Sequence, residues 1–274
     1  MNPSPSLPRY APILTRCARR DRQRLLAGLA LGLCVISAAF RGGVLDSARY
    51  AGAARAIFTL ASDALPPDFT RWRNWVRPLL DTLAMGVAGT ALGVLAALPL
   101  GALAAGNLAP SWIREPVKFA LNLLRSIPGL VWGILFVAAV GFGPLPGILA
   151  LACHSTGMLG KFFAELIEHA NPTPGTALRG QGVSTAGVLR FAILPQVAPR
   201  ILDVSLYRFE HNLRSATTLG MVGAGGLGLE IVTAFHLFEY REAMALLTVV
   251  LGLVTLVNLV GSRLRAWLLG TDQT

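Results

Sequence analysis

The sequence predicts an all-α membrane protein with about six transmembrane helices, and three observations predict it. Of its 274 residues, 54% are hydrophobic and only 14% are charged, against about 25% charged in an ordinary soluble domain. The 29 Gly and 17 Pro lie scattered inside apolar runs, which is the usage of membrane helices and not of disordered chain. Apolar runs of roughly 20 residues, long enough to cross a bilayer as helix, recur along the chain. A typical soluble enzyme is excluded, and the formal net charge of +10 is left to be explained.

The first span is read over about 25–40. Arg16, Arg19, Arg20, Arg22 and Arg24 precede it. Such a start also describes a cleaved signal peptide, but the spans that follow favour an uncleaved helix. Residues 41–78 form a basic outer segment. Its stretch Ala48–Ala61 is apolar with intermittent Arg, as in an amphipathic helix lying in the interface.

The second span, 79–105, opens with Asp81 and Thr82 as candidate caps. Along it Gly89, Gly93, Ala97 and Gly101 recur every four residues, a smooth face that lets two helix backbones approach closely. The third span, 117–141, should kink at Pro128 and Gly129, near Arg125 and Ser126. The fourth covers 146–168 and the sixth 242–262.

Charge hides the fifth span, about 197–217. Periodicity uncovers it: Leu202, Leu206, Phe209 and Leu213 make an apolar stripe. Asp203, Tyr207, Glu210, Arg214 and Thr217 make a polar stripe on another face. Such a helix crosses a membrane only with its polar side toward the bundle interior or a watery path.

Six spans place both termini on one side. The tail, the 106–118 loop, the 161–200 stretch and the C-terminal flank carry fourteen Lys and Arg, against seven on the other side. The richer side is read as cytoplasmic. Three further Arg, 125, 208 and 214, lie within spans. The net charge is therefore mostly membrane-flanking, and no zinc finger or aromatic–basic stripe points to nucleic acid. Cys17, Cys34 and Cys153 share no paired spacing, and the four His form no metal-ligand pattern. The organisation expected is a tail, first span and outer segment over 1–78, a transport domain over 79–262, and a C-terminal tail over 263–274.

The longest predicted cytoplasmic connection, 169–200, reads as two short helices. Thr173 and Pro174 are placed as cap and first position of the first, and Gly182 as its end. Ser184 caps the second, over Thr185–Leu194. Two short helices on a cytoplasmic face suit a partner's groove.

Within this loop Thr176-Ala177-Leu178, three residues, Gly182 and then Leu194-Pro195 resemble the EAA loop of ABC-importer permeases. Thr176 stands where Glu is usual and Ala192 where Ile is usual. The resemblance implies a coupling helix, with Gly175, Thr176, Ala177, Leu178, Gly182, Leu194 and Pro195 facing an ATPase subunit. The missing Glu bears on one ATPase contact, not on the docking itself.

Leu124-Arg125-Ser126-Ile127-Pro128-Gly129-Leu130-Val131-Trp132 and His154-Ser155-Thr156-Gly157-Met158-Leu159-Gly160-Lys161 resemble phosphonate-type permeases. So do Leu206-Tyr207-Arg208-Phe209-Glu210, Arg214-Ser215-Ala216-Thr217 and Gly223-Ala224-Gly225-Gly226-Leu227-Gly228. Gly129 stands where Glu is expected. The likeness covers about 79–262 and implies a type I ABC importer permease for phosphonate, phosphite or hypophosphite. It does not separate these substrates.

That resemblance implies further components: a cytoplasmic ATPase dimer that binds the ATP and Mg, a second permease chain, and a periplasmic or lipid-anchored binding protein. The chain itself would need no cofactor, touch membrane lipid, and sit as a multi-pass protein in the bacterial inner membrane. No Walker A sequence is present. Gly223-x-Gly225-x-x-Gly228 fits a dinucleotide fingerprint only in the wrong context, after a charged membrane helix. It is read as a tight turn at the outer mouth, with Gly223, Gly225, Gly226 and Gly228 as an outer gate.

An anion crossing the bilayer core needs positive charge and hydrogen-bond donors. Arg125, Ser126, Tyr207, Arg208, Glu210, His211 and Arg214 are the candidates for lining its path. The alternative for the charges is internal pairing, with Glu210 and Arg214 four residues apart. Two other functions stay open at this stage: a permease of the same superfamily for another small solute such as an amino acid, and an intramembrane enzyme using Glu210, His211 and Arg214.

Overall fold

The computed structural model describes residues 11–44, 46 and 50–269. It divides into two compact units, residues 1–62 and 63–274. In the first, α1 (Ala11–Arg41) contains the predicted first span. Its Leu25, Leu29, Leu33 and Phe40 are all exposed, an apolar surface suited to lipid. A short helix, α2 (Ala53–Asp63), covers most of the expected interfacial stretch and buries no residue. Residues 48 and 49 of that stretch lie outside the described residues.

The second unit holds nine helices among the described residues: α3 (Trp72–Ala104), α4 (Ser111–Ser126), α5 (Gly129–Val140), α6 (Pro144–Glu168), α7 (Pro172–Gly180), α8 (Thr185–Val188), α9 (Leu194–Leu219), α10 (Gly226–His236) and α11 (Tyr240–Leu269).

α3 begins at Trp72, so Asp81 and Thr82 are interior and cap nothing. Thr82 has another use. Its hydroxyl donates to the Pro78 carbonyl at 2.9 Å and accepts from the Leu227 amide at 2.9 Å.

The small-residue stripe packs α3 onto α6. A Cβ at Gly89 would lie 2.7 Å from Leu151 Cβ, one at Gly93 2.7 Å from Ser155 Cβ, and one at Gly101 2.8 Å from Phe163 Cβ. The paired numbers rise together, so the two helices run parallel. α9 runs the other way. Gly86 meets Leu213, while Ala97 shares a core cluster with Ile201.

α4 and α5 form one broken element, bent by 88° where Ser126 gives way to Gly129. The cause is the expected one. Pro128 lacks an N–H and disfavours helix at the residue before it.

α1, α3 and α11 are each long and apolar enough to cross a membrane, and two bent pairs raise the number to five. The second pair is the helical run Thr185–Ala224 with α10, bent by 59°. α6, with 25 residues, is long enough. Its His154, Ser155, Thr156 and Lys161 keep it from standing out by composition. Lying parallel to α3 along the stripe, it is the remaining candidate for the expected sixth span.

The coupling region departs from expectation in two places. The cap of α7 is Asn171, whose Oδ1 accepts from the Thr173 amide at 3.0 Å, and Pro172 is its first residue. The second short helix does not stop at Pro195. α8 passes through a π-helical segment, Leu189–Ile193, straight into α9, with Pro195 in the first turn. Proline is tolerated there because the π-helical turn before it, where the Leu194 amide reaches back to the Leu189 carbonyl, widens the ladder at the point where Pro195 brings no N–H.

Candidate translocation site and coupling loop

The connection 169–200 is braced from below. Asn107, in the α3–α4 turn, donates to the Ile167 carbonyl at 2.9 Å, and its own carbonyl accepts from Arg179 at 3.0 Å. The Gln196 carbonyl oxygen accepts from the Asn171 amide at 3.0 Å, while its amide group donates to the Ala192 carbonyl at 2.6 Å. Gly182 ends α7 at φ +79°, in the region that favours glycine. Ser184 Oγ accepts from the Gly187 amide at 3.3 Å.

Among the EAA-like residues, Thr176, Ala177, Leu194 and Pro195 are exposed, Leu178 is half-buried and Gly175 is buried against Val188. Thr176 spends its hydroxyl on the Thr173 carbonyl at 2.8 Å. Asn107, Arg179 and Gln196 carried no signal in the sequence, since their partners lie in distant segments or in the backbone.

The intramembrane polar residues divide between two faces of α9. Arg208 is only 5% exposed. Its Nε donates to Ser155 Oγ on α6 at 2.9 Å. The Asn212 amide donates to the same oxygen at 2.8 Å and to Thr90 Oγ1 on α3 at 2.9 Å. Thr90 donates onward to the Gly86 carbonyl at 2.6 Å. One network thus ties three helices around the guanidinium. Among the described residues no carboxylate pairs with Arg208, and Asn212 Oδ1 is buried without a partner.

Arg208 and His211 border a cavity of about 170 Å³, together with His154, Ser215 and Thr218 and the apolar Leu130, Leu151 and Leu219. His154 Nδ1 lies 3.3 Å from the Ile127 carbonyl, which the break before Pro128 leaves without a helical partner.

The other predicted path residues lie elsewhere. Glu210 pairs with Arg265 of α11 at 2.9 Å, on a different face from the cavity. This corrects the expected pairing with Arg214, which is exposed and in no ion pair among the described residues. The approach of Glu210 to α11 needs Gly261, where a Cβ would collide with the carboxylate. Tyr207 is exposed. Arg125 Nε donates to Asn122 Oδ1 at 3.1 Å, and Ser126 Oγ to the Asn122 carbonyl at 2.7 Å.

The glycine-rich segment is a tight turn, with Gly223, Gly225 and Gly226 at φ +106°, +80° and +68°. The Gly143 amide donates to the Gly223 carbonyl at 3.2 Å, and a Cβ at Gly228 would collide with the Thr217 carbonyl. Beyond the turn comes α10, which the sequence did not disclose.

At the same end Arg71 donates to Glu239 and Glu242, each at 2.8 Å. A hydrogen bond with the Glu242 carboxyl and the Arg71 guanidinium hold the Glu239 carboxyl below its usual range. Asp68 is likewise held low, by the Thr70 backbone amide first and the Thr70 side chain next.

A bundle with a broken third span, a braced helical loop and a buried cation beside a cavity has the architecture of a membrane transport subunit. The chain belongs to the family of binding-protein-dependent transport system inner membrane components, whose model matches residues 97–269. It is 46% identical over 258 residues to the phosphite transport system permease protein PtxC of Stutzerimonas stutzeri, covering 89% of this chain and 94% of that one. It is 32% identical to the putative phosphite transport system permease protein HtxC of the same organism, covering 97% and 95%. In fold it is similar to the methionine ABC transporter MetNI in its inward-facing conformation. That match has a TM-score of 0.63 at 22% identity and covers 71% of this chain and 95% of that one. The chain is the permease subunit of an ABC importer, a multi-pass inner membrane protein.

Proposed function

We propose that this permease imports a small phosphorus oxyanion, phosphite foremost among them. The observation that carries the reading is Arg208: a cation buried at mid-helix, facing a cavity, with no carboxylate beside it among the described residues. A buried charge left unpaired by its own protein is costly, and an anionic cargo supplies the missing partner. The likeness to phosphite permeases supports the same substrate class.

The rest of the machine follows. The connection 169–200 and both chain termini face the cytoplasm. Two ATPase subunits, which hold the ATP and Mg, grip α7 and the turn after it. This chain takes no cofactor of its own. A second permease chain covers the exposed polar face of α9, where Tyr207, Arg214 and Thr218 would otherwise meet lipid. A binding protein delivers the anion to the turn at 223–228.

Reconstitution with the partner ATPase and binding protein tests this. ATP-dependent uptake of phosphite is expected, and its loss in Arg208→Ala with ATP hydrolysis retained. Uptake by Arg208→Ala equal to the parent would overturn the role of Arg208.

A further inference from the structure

We infer that the cavity between α5, α6 and α9 is a stopping point for one oxyanion that still carries an O–H group. The inference rests on the import of a phosphorus oxyanion proposed above and specifies what each chain reads.

Three features support it. The first is the free edge of Arg208. Ser155 holds Nε at 2.9 Å, and among the described residues neither terminal nitrogen makes a hydrogen bond. Arg208 lines the cavity, so its two terminal nitrogens are free to grip two oxygens of one oxyanion there. The second is His154. Its Nδ1 lies 3.3 Å from the Ile127 carbonyl, which can only accept, so Nδ1 donates there and the singly protonated ring, the form this inference requires, offers Nε2 as an acceptor. Donors on one side and an acceptor on the other match an anion with two bare oxygens and one hydroxyl. Sulfate has no hydroxyl to give and leaves the imidazole unpaired. Hypophosphite, whose hydrogens are on phosphorus, does the same.

The third feature is size. A volume of about 170 Å³ holds about five waters at ~30 Å³ each. A tetrahedral oxyanion fits with part of its hydration, and Leu130, Leu151 and Leu219 close the apolar side against bulky substituents. Ser155 and Asn212 are positioning residues. They touch no cargo and act by fixing the guanidinium.

The experiment uses the permease–ATPase complex in nanodiscs without its binding protein, with radiolabelled phosphite as probe. One saturable, weak site per permease chain is expected, competed by excess phosphite and not by equal sulfate. His154→Ala should narrow the phosphite-over-sulfate preference at least fivefold. Arg208→Lys should lower affinity at least tenfold. Ser155→Ala should lower it three- to tenfold without moving the preference, since Ser155 acts only through Arg208. Leu130→Ala should raise binding of phenylphosphonate relative to phosphite.

Absence of saturable binding to the parent complex, or a preference unmoved in His154→Ala, overturns the inference. Uptake assays on the full importer separate the two readings. Phosphite uptake by the parent with no site in the cavity leaves the import function standing and removes the stopping point. No phosphite uptake by the parent removes both.

Discussion

Gly93→Ala tests a close contact between α3 and α6. The added Cβ would lie 2.7 Å from Ser155 Cβ and 3.4 Å from the Ala152 carbonyl. Non-bonded carbons settle at about 3.5–4.0 Å, so the two helices must separate by about 1 Å. Ser155 Cβ is fixed to its backbone and cannot swing away. Overpacking of this size costs about 1–3 kcal/mol. For a domain of about 200 residues, ~2 kcal/mol lowers the melting temperature by about 4–8 °C. The variant also displaces Ser155 Oγ, which holds Arg208 at 2.9 Å, so uptake should fall beyond what the lost stability explains. Thermal unfolding of the purified complex and ATP-dependent uptake are the two readings. Gly252→Ala is the control, because a Cβ there meets nothing within 4 Å. A Gly93→Ala protein that melts within 1 °C of the parent and transports equally would refute the packing argument.

Three further outcomes are expected. Gly182→Val puts a β-branched residue at φ +79°, costing upward of ~1–2 kcal/mol locally; ATP hydrolysis should persist while anion moved per ATP falls, and an unchanged ratio counts against the coupling assignment. Glu210→Ala strands Arg265, and buried pairs broken this way lose about 3–5 kcal/mol. Partial exposure of Arg265 at 23% places this case at or below the low end, and Glu210→Ala/Arg265→Met should melt higher than Glu210→Ala alone. At the Arg71 end of the bundle, Glu239 has its pKa lowered on folding, so its attraction to Arg71 is present at neutral pH and lost as pH falls through the lowered value. Hydrogen exchange over residues 66–71 should therefore quicken in acid in the parent, but not in Arg71→Ala.

Much of this bundle was legible because its signals are local. The four-residue stripe from Gly89 to Gly101 marked the face that meets α6, Pro128 marked the break in the third span, and Gly182 and Ser184 marked the ends of the loop helices. What escaped depends on distant partners. Ser155 stood only as one letter of a motif, and Thr90 and Asn212 carried no signal, until folding brings them around Arg208. Glu210 has a plausible partner four residues on, yet it finds Arg265 fifty-five residues later. Arg71, Arg73 and Arg77 made the start of α3 look like loop, because charges just outside a membrane resemble charges between spans. α10 is 11 residues long, too short to register as a span.

The π-helical segment at Leu189–Ile193 makes the loop and the cavity parts of one lever. From Thr185 to Leu219 the chain is one continuous helical run. At 1.5 Å per residue Arg208 lies about 35 Å from the Thr185 tip of this run, so a tilt of about 5° at that tip swings the guanidinium by about 3 Å, one hydrogen-bond length. No relay of side chains is required between the loop and Arg208. Under the import function proposed above, gripping or releasing the anion becomes a matter of leverage, with the fulcrum at the loop and the hand at Arg208.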